Sequence, residues 1–534
     1  MVCLHEKKFL LVMFLLIFLA SFSITSQIYL NQDDARNIYI VGNMMGPRNW
    51  LDSFSPYQGL NFLLIPFFQI FGYTMFAFRF AQSFILALTA LLTFMFLKEF
   101  YDRRTAIVSV LVLSSLTYFL SSCWSEVPFL PFYAIILMHL GLRYHRTGEK
   151  RYFYALSFLL GWSIYLKITI VYVTIALVFS YLLASRLLGK RKFRFPGKRI
   201  LAAGFLLFLI GLSPLVYVNL TSDNPDRLLL PKITGNLLKT ESGYNNFDFV
   251  SNVGMRASQL VGVFSMNAWY DYINNNAILP YVFLFSLIML IFYGNMKDRF
   301  LASFVLFFTL LLSFTISESH PIHFFLLFPV FAAIFSRAGL RLSRKSLMAT
   351  LVLFVVLFGS NASELSKTYA FAGNQTMFEE HWSQNARVIS EPTFYFIENN
   401  ITPELVVFGT IQPSYVFDAY EHNSYLNTGY ERVIPCGVEY VHGERFNSTT
   451  NCSDAGELYA EAFTHDSYYV FASTERSKDD RYIYDIFCPN EESYCDVPME
   501  VFLKTLDEEK RTAVIVHTIN DSLGKPVYDI YRVL

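Results

Sequence analysis

The chain is poor in charged residues. Only 16% of its 534 residues are Asp, Glu, Lys or Arg, whereas soluble proteins carry about a quarter. Hydrophobic residues make up 54%, and apolar runs of membrane-spanning length recur through roughly the first two thirds of the chain. The composition excludes an ordinary soluble enzyme and predicts a polytopic membrane protein.

Several chemical signatures are also missing. There is no P-loop and no GxGxxG after a predicted strand, so a nucleotide or nucleotide-sugar substrate is not expected. No Lys/Arg-rich tract with interleaved aromatics lies outside the loops predicted to be cytoplasmic, which argues against a nucleic-acid partner. The six cysteines form no CxxC pair, so metal binding by cysteine is not favoured.

About eleven apolar segments are long enough to cross a bilayer if some tilt or packing shortens the path. They are Phe9–Ile24, Met75–Leu97, Ala106–Leu120, Val127–Leu142, Tyr152–Tyr165, Thr169–Ala184, Ile200–Val218, Ile278–Tyr293, Leu301–Ile316, His323–Phe335 and Leu347–Phe358. The first follows His5-Glu6-Lys7-Lys8, as a cleaved signal peptide would. We expect a retained span, because no convincing small-x-small cleavage site follows it.

The distribution of basic residues predicts the orientation. The Lys/Arg clusters between the spans all fall on one side of the membrane only if residues 152–184 form a hairpin whose turn, Leu166-Lys167-Ile168, lies outside. This places the N-terminus in the cytoplasm and the C-terminal region outside. The predicted location is the plasma membrane, with multiple spans.

Residues 361–534 differ from residues 1–360 and are predicted to form a separate extracytoplasmic domain. They are polar and contain predicted strands at Glu404–Gly409, Ser467–Ala472, Thr512–Thr518 and Val527–Val533, with a helix at Asp454–Phe463. The segment NDSLGKP, residues 520–526, is typical of a hairpin loop. The expected fold is a small α/β domain with a mixed sheet.

Cysteines and sequons agree with export of this domain. Cys436, Cys452, Cys488 and Cys495 favour disulfides but allow three pairings. N-glycosylation tripeptides begin at Asn361, Asn374, Asn447, Asn451 and Asn520, although such tripeptides are common by chance.

Carboxylates are predicted at the outer ends of the spans. Asp33 and Asp34 lie in QDDAR just after the first span, and Glu126 begins the fourth. A carboxylate beside the membrane surface can serve as a general base. The alternatives are solvated loop aspartates, an N-cap, and for Glu126 a helix N-terminal charge.

Cationic and polar groups are predicted on the same side. They are Arg36, Arg79, Lys167, His320 and His323, with Tyr57 and Gln58 as candidate sugar contacts. Lys167 is the only charge inside its apolar hairpin, and such a residue indicates function by default. For the others the alternatives are a weak local ion pair, a snorkelling arginine, a plain loop, or two surface histidines. Together with Glu318 the histidines also suit a metal, but no metal is predicted.

The two sets suit one chemistry. The cations would hold a lipid-linked phosphate leaving group, while a carboxylate removes a proton from the attacking hydroxyl.

The pattern resembles the membrane-embedded GT-C glycosyltransferases, and most of all the dolichyl-phosphate-mannose protein mannosyltransferase superfamily with its aminoarabinose-transferase branch. The resemblance covers roughly Asn31 to Val173. Five ordered features carry it: QDDAR, the segment SPYQGLNFLLIPFFQIFG, Arg79 in FAFRFAQSF, Glu126 in WSEVP and Lys167 in YLKIT. The second lacks the basic residue that the family has there.

The resemblance implies inverting transfer of a sugar from a polyprenyl- or dolichyl-phosphate donor, without a cofactor, to a glycan, lipid or protein acceptor. Asp33 would be the base, with Asp34 or Glu126 assisting, and Arg36, Arg79 and Lys167 would stabilise the departing phosphate. Family relatives vary in their use of a divalent metal. The competing classes are a transporter or flippase, which often shows internal repeats that are not evident here, and a non-catalytic membrane protein with an exported ligand-binding domain.

Overall fold

The fold is described by a computed structural model in which most helices and part of the C-terminal sheet are defined. The described residues are 2–26, 61–72, 74–122, 127–166, 169–188, 196–221, 249–264, 278–314, 321–343, 346–372, 391–393, 395–396, 398–399, 401, 405–408, 438–441, 444–447, 455–464, 466–473, 493–520, 524 and 526–534.

Helices make up the first part of the chain. They are α1 (Val2–Thr25), α2 (Asn61–Phe71), α3 (Met75–Phe100), α4 (Arg103–Leu113), α5 (Thr117–Ser121), α6 (Leu130–Thr147), α7 (Lys150–Leu166), α8 (Thr169–Leu188), α9 (Lys198–Thr221), α10 (Phe249–Gly262), α11 (Leu279–Tyr293), α12 (Met296–Leu312), α13 (Phe328–Leu342) and α14 (Leu347–Ala372). A 3-10 helix, Val127–Phe129, leads into α6, and another, Pro321–Leu327, leads into α13.

Six helices within the described residues are long and apolar enough to cross a membrane. They are Glu6–Thr25, Phe76–Phe100, Val127–Thr147, Lys198–Tyr217, His323–Leu342 and Leu347–Lys367. The prediction of a multi-pass membrane protein is confirmed, but the count of eleven spans is not. Several of the other predicted spans are helices that are too short or too broken to meet the same criteria.

The predicted span Ala106–Leu120 is not one continuous helix. The chain forms α4 and α5 with a break at residues 114–116, where Leu116 is extended (ψ 111°). The hydroxyls of Ser114 and Ser115 donate to the carbonyls of Leu111 and Val112 at 2.8 and 2.7 Å. Serine side chains that bond to nearby carbonyls in this way compete with the regular helix.

Asn361 of α14 stabilises this break. Its amide donates to Ser115 Oγ at 3.4 Å, and its carbonyl accepts a bond from Thr117 Oγ1 at 3.1 Å. Asn361 is therefore a buried helical residue, so its tripeptide gives no support for an exposed glycosylation site.

The hairpin predicted over residues 152–184 is present as α7 and α8, which are separated only by residues 167–168. Helix α7 packs closely on α9 through glycines. A Cβ added to Gly161 would lie 2.0 Å from the carbonyl oxygen of Phe208, and one added to Gly211 would lie 2.2 Å from that of Phe158. Small residues at such a crossing allow the two backbones to approach.

The 3-10 helix Pro321–Leu327 and α13 form the centre of the helical region. In the apolar stretch His323–Leu342, 94% is buried. Phe264 after α10 packs against Phe283 of α11 and Phe331 of α13, with ring centroids 4.5 and 5.0 Å apart. Aromatic contacts of this kind bury large areas and fix the helix positions.

Ion pairs tie the helices together at their Lys/Arg-rich ends. Glu6 contacts Lys98 at 2.5 Å, and Glu99 contacts Arg143 at 2.6 Å. The side chain of Asp298 is fully buried and accepts bonds from Arg337 Nε at 2.7 Å and Arg341 Nη2 at 2.8 Å. These contacts join α12 to α13 and α3 to α1 and α6 at one end of the helices.

The C-terminal strands are β1 (Leu405–Phe408), β2 (Val438–Val441), β3 (Glu444–Asn447), β4 (Ser467–Ala472), β5 (Ala513–Asn520) and β6 (Pro526–Val533), accompanied by α15 (Ala455–Ala462) and α16 (Ser493–Glu508). Strands β2 and β3 form a separate antiparallel pair. The main sheet has the order β1-β4-β6-β5, with β1 parallel to β4 and the other pairs antiparallel.

The mixed sheet, its four strands and the helix at 454–463 were predicted and are confirmed, whereas α16 and the β2–β3 pair were not predicted. Apolar clusters cover both faces of the sheet. One contains Phe396, Val470 and Ile530, and the other contains Tyr469, Phe471 and Phe502. Helices α15 and α16 pack on the second of these faces.

The chain separates into two compact units. One comprises Met1–Thr25, Phe54–Leu63 and Arg79–Ala370, and the other comprises Ser26–Ser53, Leu64–Phe78 and Phe371–Leu534. Helix α14 runs through residue 361 to Ala372, and the predicted boundary between residues 360 and 361 stays a prediction.

Candidate active site

Two of the ten predicted site residues fall within the described part of the chain. These are Arg79 and His323. Asp33, Asp34, Arg36, Tyr57, Gln58, Glu126, Lys167 and His320 lie outside the described residues. The meeting of all ten in one pocket therefore stays a prediction, and the site is described here from the segments that flank them.

Arg79 lies near the start of α3 and is buried, with 1% of its surface exposed. Its Nη1 donates to Gln82 Oε1 at 3.0 Å. Such burial does not fit a snorkelling side chain, whose charged head reaches water. A buried guanidinium needs hydrogen-bond acceptors or anions around it, so the position is suited to binding a negatively charged group.

The end of α1 lies beside Arg79. Ser83, one helical turn after Arg79, makes hydroxyl contacts with Ser21 at 3.2 Å and Thr25 at 3.3 Å. The chain leaves α1 at Thr25 and reaches QDDAR a few residues later. The structure thus places Arg79 next to the point from which the predicted carboxylate segment extends.

His323 lies in the 3-10 helix that precedes α13 and is 7% exposed. The following residues are packed among aromatics, with Phe324 against Phe308 and Phe325 against Tyr118. Because His323 is buried, the alternative interpretation as a surface-loop histidine does not fit it. Its predicted contact with a phosphate or acceptor is not tested by the structure.

Helix α10 carries an arginine that the sequence analysis did not single out. Arg256 is fully buried. Its Nη1 donates to Gln259 Oε1 at 2.7 Å. Asn252, Arg256 and Gln259 are spaced four and three residues apart, which places them on one helix face, and all three are buried.

The buried side of α10 is therefore unusually polar for a helix, although Leu260 is buried there too. Its buried face carries an amide, a guanidinium and a second amide, while Val250 on the other side is 77% exposed. Asn252 Nδ2 donates to the carbonyl of Ser313, after α12, at 3.5 Å. Such a polar face directed inward indicates a polar cavity or ligand rather than a purely apolar core. The sequence signal was the spacing N-x-x-x-R-x-x-Q in NVGMRASQ.

The charge of Arg256 also reaches α8. Its guanidinium interacts electrostatically with Tyr172, in the first turn of α8. Lys167 lies outside the described residues and precedes α8 by two positions in the sequence. The electrostatic influence of this buried cation therefore extends to the first turn of α8.

A third segment reaches the same hairpin. Phe62, at the start of α2, packs edge-on against Trp162 of α7 with ring centroids 5.2 Å apart. Trp162 also donates a side-chain hydrogen bond to Tyr133 of α6. The apolar helix predicted after SPYQGL is confirmed as α2, and its first turn lies near the end of α7 that leads to Lys167.

Comparison with known proteins gives the class. A family model for dolichyl-phosphate-mannose-protein mannosyltransferase matches residues 58–218. That range begins at Gln58 and ends within α9, so it contains the positions of Arg79, Glu126 and Lys167. No curated protein sequence matches the chain.

Solved structures show the same fold. ArnT from Cupriavidus metallidurans bound to undecaprenyl phosphate superposes with a TM-score of 0.64 at 12% identity, covering 98% of each chain. The apo form of ArnT gives 0.62 at 12% identity, covering 99% of this chain and 98% of the other. The Archaeoglobus fulgidus oligosaccharyltransferase in complex with Zn and sulfate gives 0.51 at 12% identity, covering 86% of this chain and 68% of the other.

These findings define the chain as a membrane glycosyltransferase with the GT-C fold. Over residues 58–218 it resembles the dolichyl-phosphate-mannose-protein mannosyltransferases. The predicted class and fold are confirmed, and the transporter and non-catalytic alternatives are not favoured. At 12% identity the structural matches establish the fold and leave the substrate to the site.

Proposed function

We propose that this protein transfers a sugar from a polyprenyl-phosphate carrier to an acceptor at the outer membrane surface, with inversion at the anomeric carbon. The observation that carries the proposal is the buried guanidinium of Arg256 on the inward polar face of α10, between the buried amides of Asn252 and Gln259. A buried cation at that position is suited to an anionic ligand, and a lipid phosphate is the anion that a membrane chain can receive from the bilayer.

The roles of the predicted residues follow from the reaction. The acceptor oxygen attacks the anomeric carbon, the bond from that carbon to the phosphate oxygen breaks, and the acceptor proton passes to Asp33. Asp34 or Glu126 would orient the acceptor. The departing phosphate carries negative charge, which Arg36, Arg79, Lys167 and Arg256 would stabilise. Tyr57, Gln58, His320 and His323 would contact the sugar or the acceptor.

The similarity to ArnT supports the donor class, because that protein was solved with undecaprenyl phosphate. The acceptor remains one of three classes: a glycan, a lipid or a protein. Inversion requires only a base and a stabilised leaving group, so the proposal includes no metal.

The proposed location is the plasma membrane. The N-terminus would lie in the cytoplasm and the sheet domain outside the cell. The Lys/Arg-rich helix ends would face the cytoplasm, because basic residues are retained on that side. Arg79 and Arg256 would then lie near the outer surface. Residues 361–534 would bind the acceptor.

The test is a sugar-transfer assay with the full chain in proteoliposomes that contain a labelled polyprenyl-phosphate sugar, with membrane extracts as the acceptor source. Asp33→Asn should abolish transfer while the protein remains folded. The control is Asp102→Asn. Asp102 caps α4 by accepting from Thr105 N at 2.8 Å, and asparagine caps helices equally well. Wild-type transfer by Asp33→Asn would remove the proposed base.

A further inference from the structure

Two buried arginines near the proposed site are held in the same way. Arg79 donates from Nη1 to Gln82 Oε1 at 3.0 Å, and Arg256 donates from Nη1 to Gln259 Oε1 at 2.7 Å. In each pair the glutamine follows the arginine by three residues on one helix and is itself buried. The two pairs come from α3 and α10, far apart in sequence, so the arrangement occurs twice independently.

Arginines at the opposite helix ends have a different acceptor. Arg143 contacts Glu99, Arg151 contacts Glu149, and Arg337 contacts Asp298. A carboxylate orients a guanidinium and also cancels its charge. An amide oxygen orients it equally well, because the guanidinium only donates, but adds no charge of its own.

We infer that Gln259 is a positioning residue that fixes the guanidinium of Arg256 for an anionic ligand and leaves its positive charge undiminished by that contact; Gln82 does the same for Arg79. This inference rests on the proposed function, in which the ligand is the phosphate of a polyprenyl carrier. Gln259 acts through Arg256 and does not itself contact the phosphate.

The geometry favours this role over simple packing. Gln259 is on the buried polar face of α10, one turn from Arg256, and its amide oxygen accepts a short bond from a charged donor. An arginine side chain has several rotatable bonds. Without the bond to Gln259, the side chain of Arg256 would rotate more freely, and it would lose more conformational entropy when it binds the ligand.

The experiment measures binding of undecaprenyl phosphate to the purified full chain in nanodiscs. Gln259→Glu is nearly isosteric but places a negative charge against Arg256, and Gln259→Met keeps the length but removes the acceptor. We expect the Kd for the lipid phosphate to rise about tenfold or more for Gln259→Glu, and by a smaller factor for Gln259→Met. Gln259→Asn, which keeps an amide, should fall between Gln259→Met and wild type.

A matched control separates this effect from added charge. Ser258→Glu places the same charge on the exposed side of α10, one residue away, and should leave the Kd within about twofold of wild type, because exposed charges are screened. In the transfer assay, Gln259→Met should raise the donor KM with little change in kcat at saturation. If Gln259 had a purely structural role, the substitution would instead lower the amount of folded protein and would not raise KM selectively over kcat.

The outcomes are distinct. If folded Gln259→Glu binds the lipid phosphate as tightly as wild type, the positioning role is wrong while the proposed function stands. Equal weakening by Ser258→Glu and Gln259→Glu also overturns it, because the effect would then be general electrostatics. If wild type does not bind undecaprenyl phosphate, the donor half of the proposed function fails, and this inference fails with it.

Discussion

Arg337 donates from Nε to Oδ1 of Asp298 at 2.7 Å, and the Asp298 side chain is completely buried. Arg256 instead donates to an amide near the other end of α12, where Asn252 on the same buried face contacts the carbonyl of Ser313. Asp298 begins α12 and Ser313 follows its last residue, about 20 Å away. Both ends bury arginine. At the Asp298 end the partner is a carboxylate, and at the other end Arg256 contacts the amide oxygen of Gln259, which adds no charge of its own.

The Asp298 cluster predicts a large loss of stability on substitution. Asp298→Asn leaves the buried Arg337 and the half-buried Arg341 without a full negative charge beside them, which should lower the free energy of unfolding by about 3 kcal/mol. Thermal unfolding of the purified protein measures this as a lower Tm. The control is Glu149→Gln, which breaks an exposed pair with Arg151 at 2.6 Å and should cost well under about 1 kcal/mol. Equal Tm values for the two variants would contradict the structural role.

The same cluster predicts a pH dependence. Burial raises the pKa of Asp298, but hydrogen bonds and charge from Arg337, a backbone bond from Asn295 and a bond from Arg341 outweigh it, so its pKa is below the usual value. A carboxyl with a lowered folded-state pKa contributes its full stability above its unfolded pKa of about 3.9 and loses it as pH falls through the folded pKa. The Tm difference between wild type and Asp298→Asn should be constant from about pH 8 to 5 and shrink below about pH 4. A difference that grew on acidification would show that the sign is wrong.

The crossing of α7 and α9 predicts intolerance of a single methyl group. An added Cβ at Gly161 would lie 2.0 Å from a backbone oxygen, so the helices must separate, and Gly161→Ala should destabilise by about 1–3 kcal/mol. Gly141 in α6 has no atom within 4 Å of an added Cβ. Gly141→Ala should be neutral or stabilise by up to about 1 kcal/mol, because alanine has the higher helix propensity. Thermal unfolding of both variants decides, and equal effects would argue against the close crossing.

Substitutions of Arg256 should weaken donor binding to different degrees. A bond from a charged donor contributes about 1.5–3 kcal/mol, so Arg256→Gln should raise the donor KM by about 10- to 100-fold. Arg256→Lys should be intermediate, because lysine keeps the charge but lacks the planar fork. Arg299→Gln, an exposed arginine at the Asp298 end of α12, is the control and should leave transfer unchanged. A normal donor KM in Arg256→Gln would exclude Arg256 from phosphate binding.

The proposed role of Lys167 predicts that its removal weakens donor binding more than acceptor binding. Removing its ammonium in Lys167→Ala should weaken donor saturation more than acceptor saturation, since the proposed ligand is the phosphate of the carrier. The control is Lys150→Ala, an exposed residue at the start of α7. Separate titrations of donor and acceptor measure the effect, and unchanged donor saturation would count against the role.

Local patterns explain which parts of the fold could be predicted. Strand Ser467–Ala472 was predicted with its observed bounds, because a short run of β-branched and aromatic residues bounded by polar ones has few other structures available. The hairpin α7–α8 was predicted from the distribution of basic residues. The Lys/Arg-rich loops all fall on one side of the membrane only if residues 152–184 form two short spans. The break at residues 114–116 was missed, because it depends on Asn361 from a helix more than two hundred residues away.

The sequence alone determined that this chain is a multi-pass membrane protein with a small mixed-sheet domain and the marks of a lipid-phosphate glycosyltransferase, because apolar length, charge asymmetry and strand patterns are local properties. Only the tertiary structure decided that Arg256 is buried on a polar helix face and that Asn361 is an internal residue. Whether a polar side chain is buried depends on which distant atoms surround it and satisfy its hydrogen bonds, and a linear pattern does not contain that information.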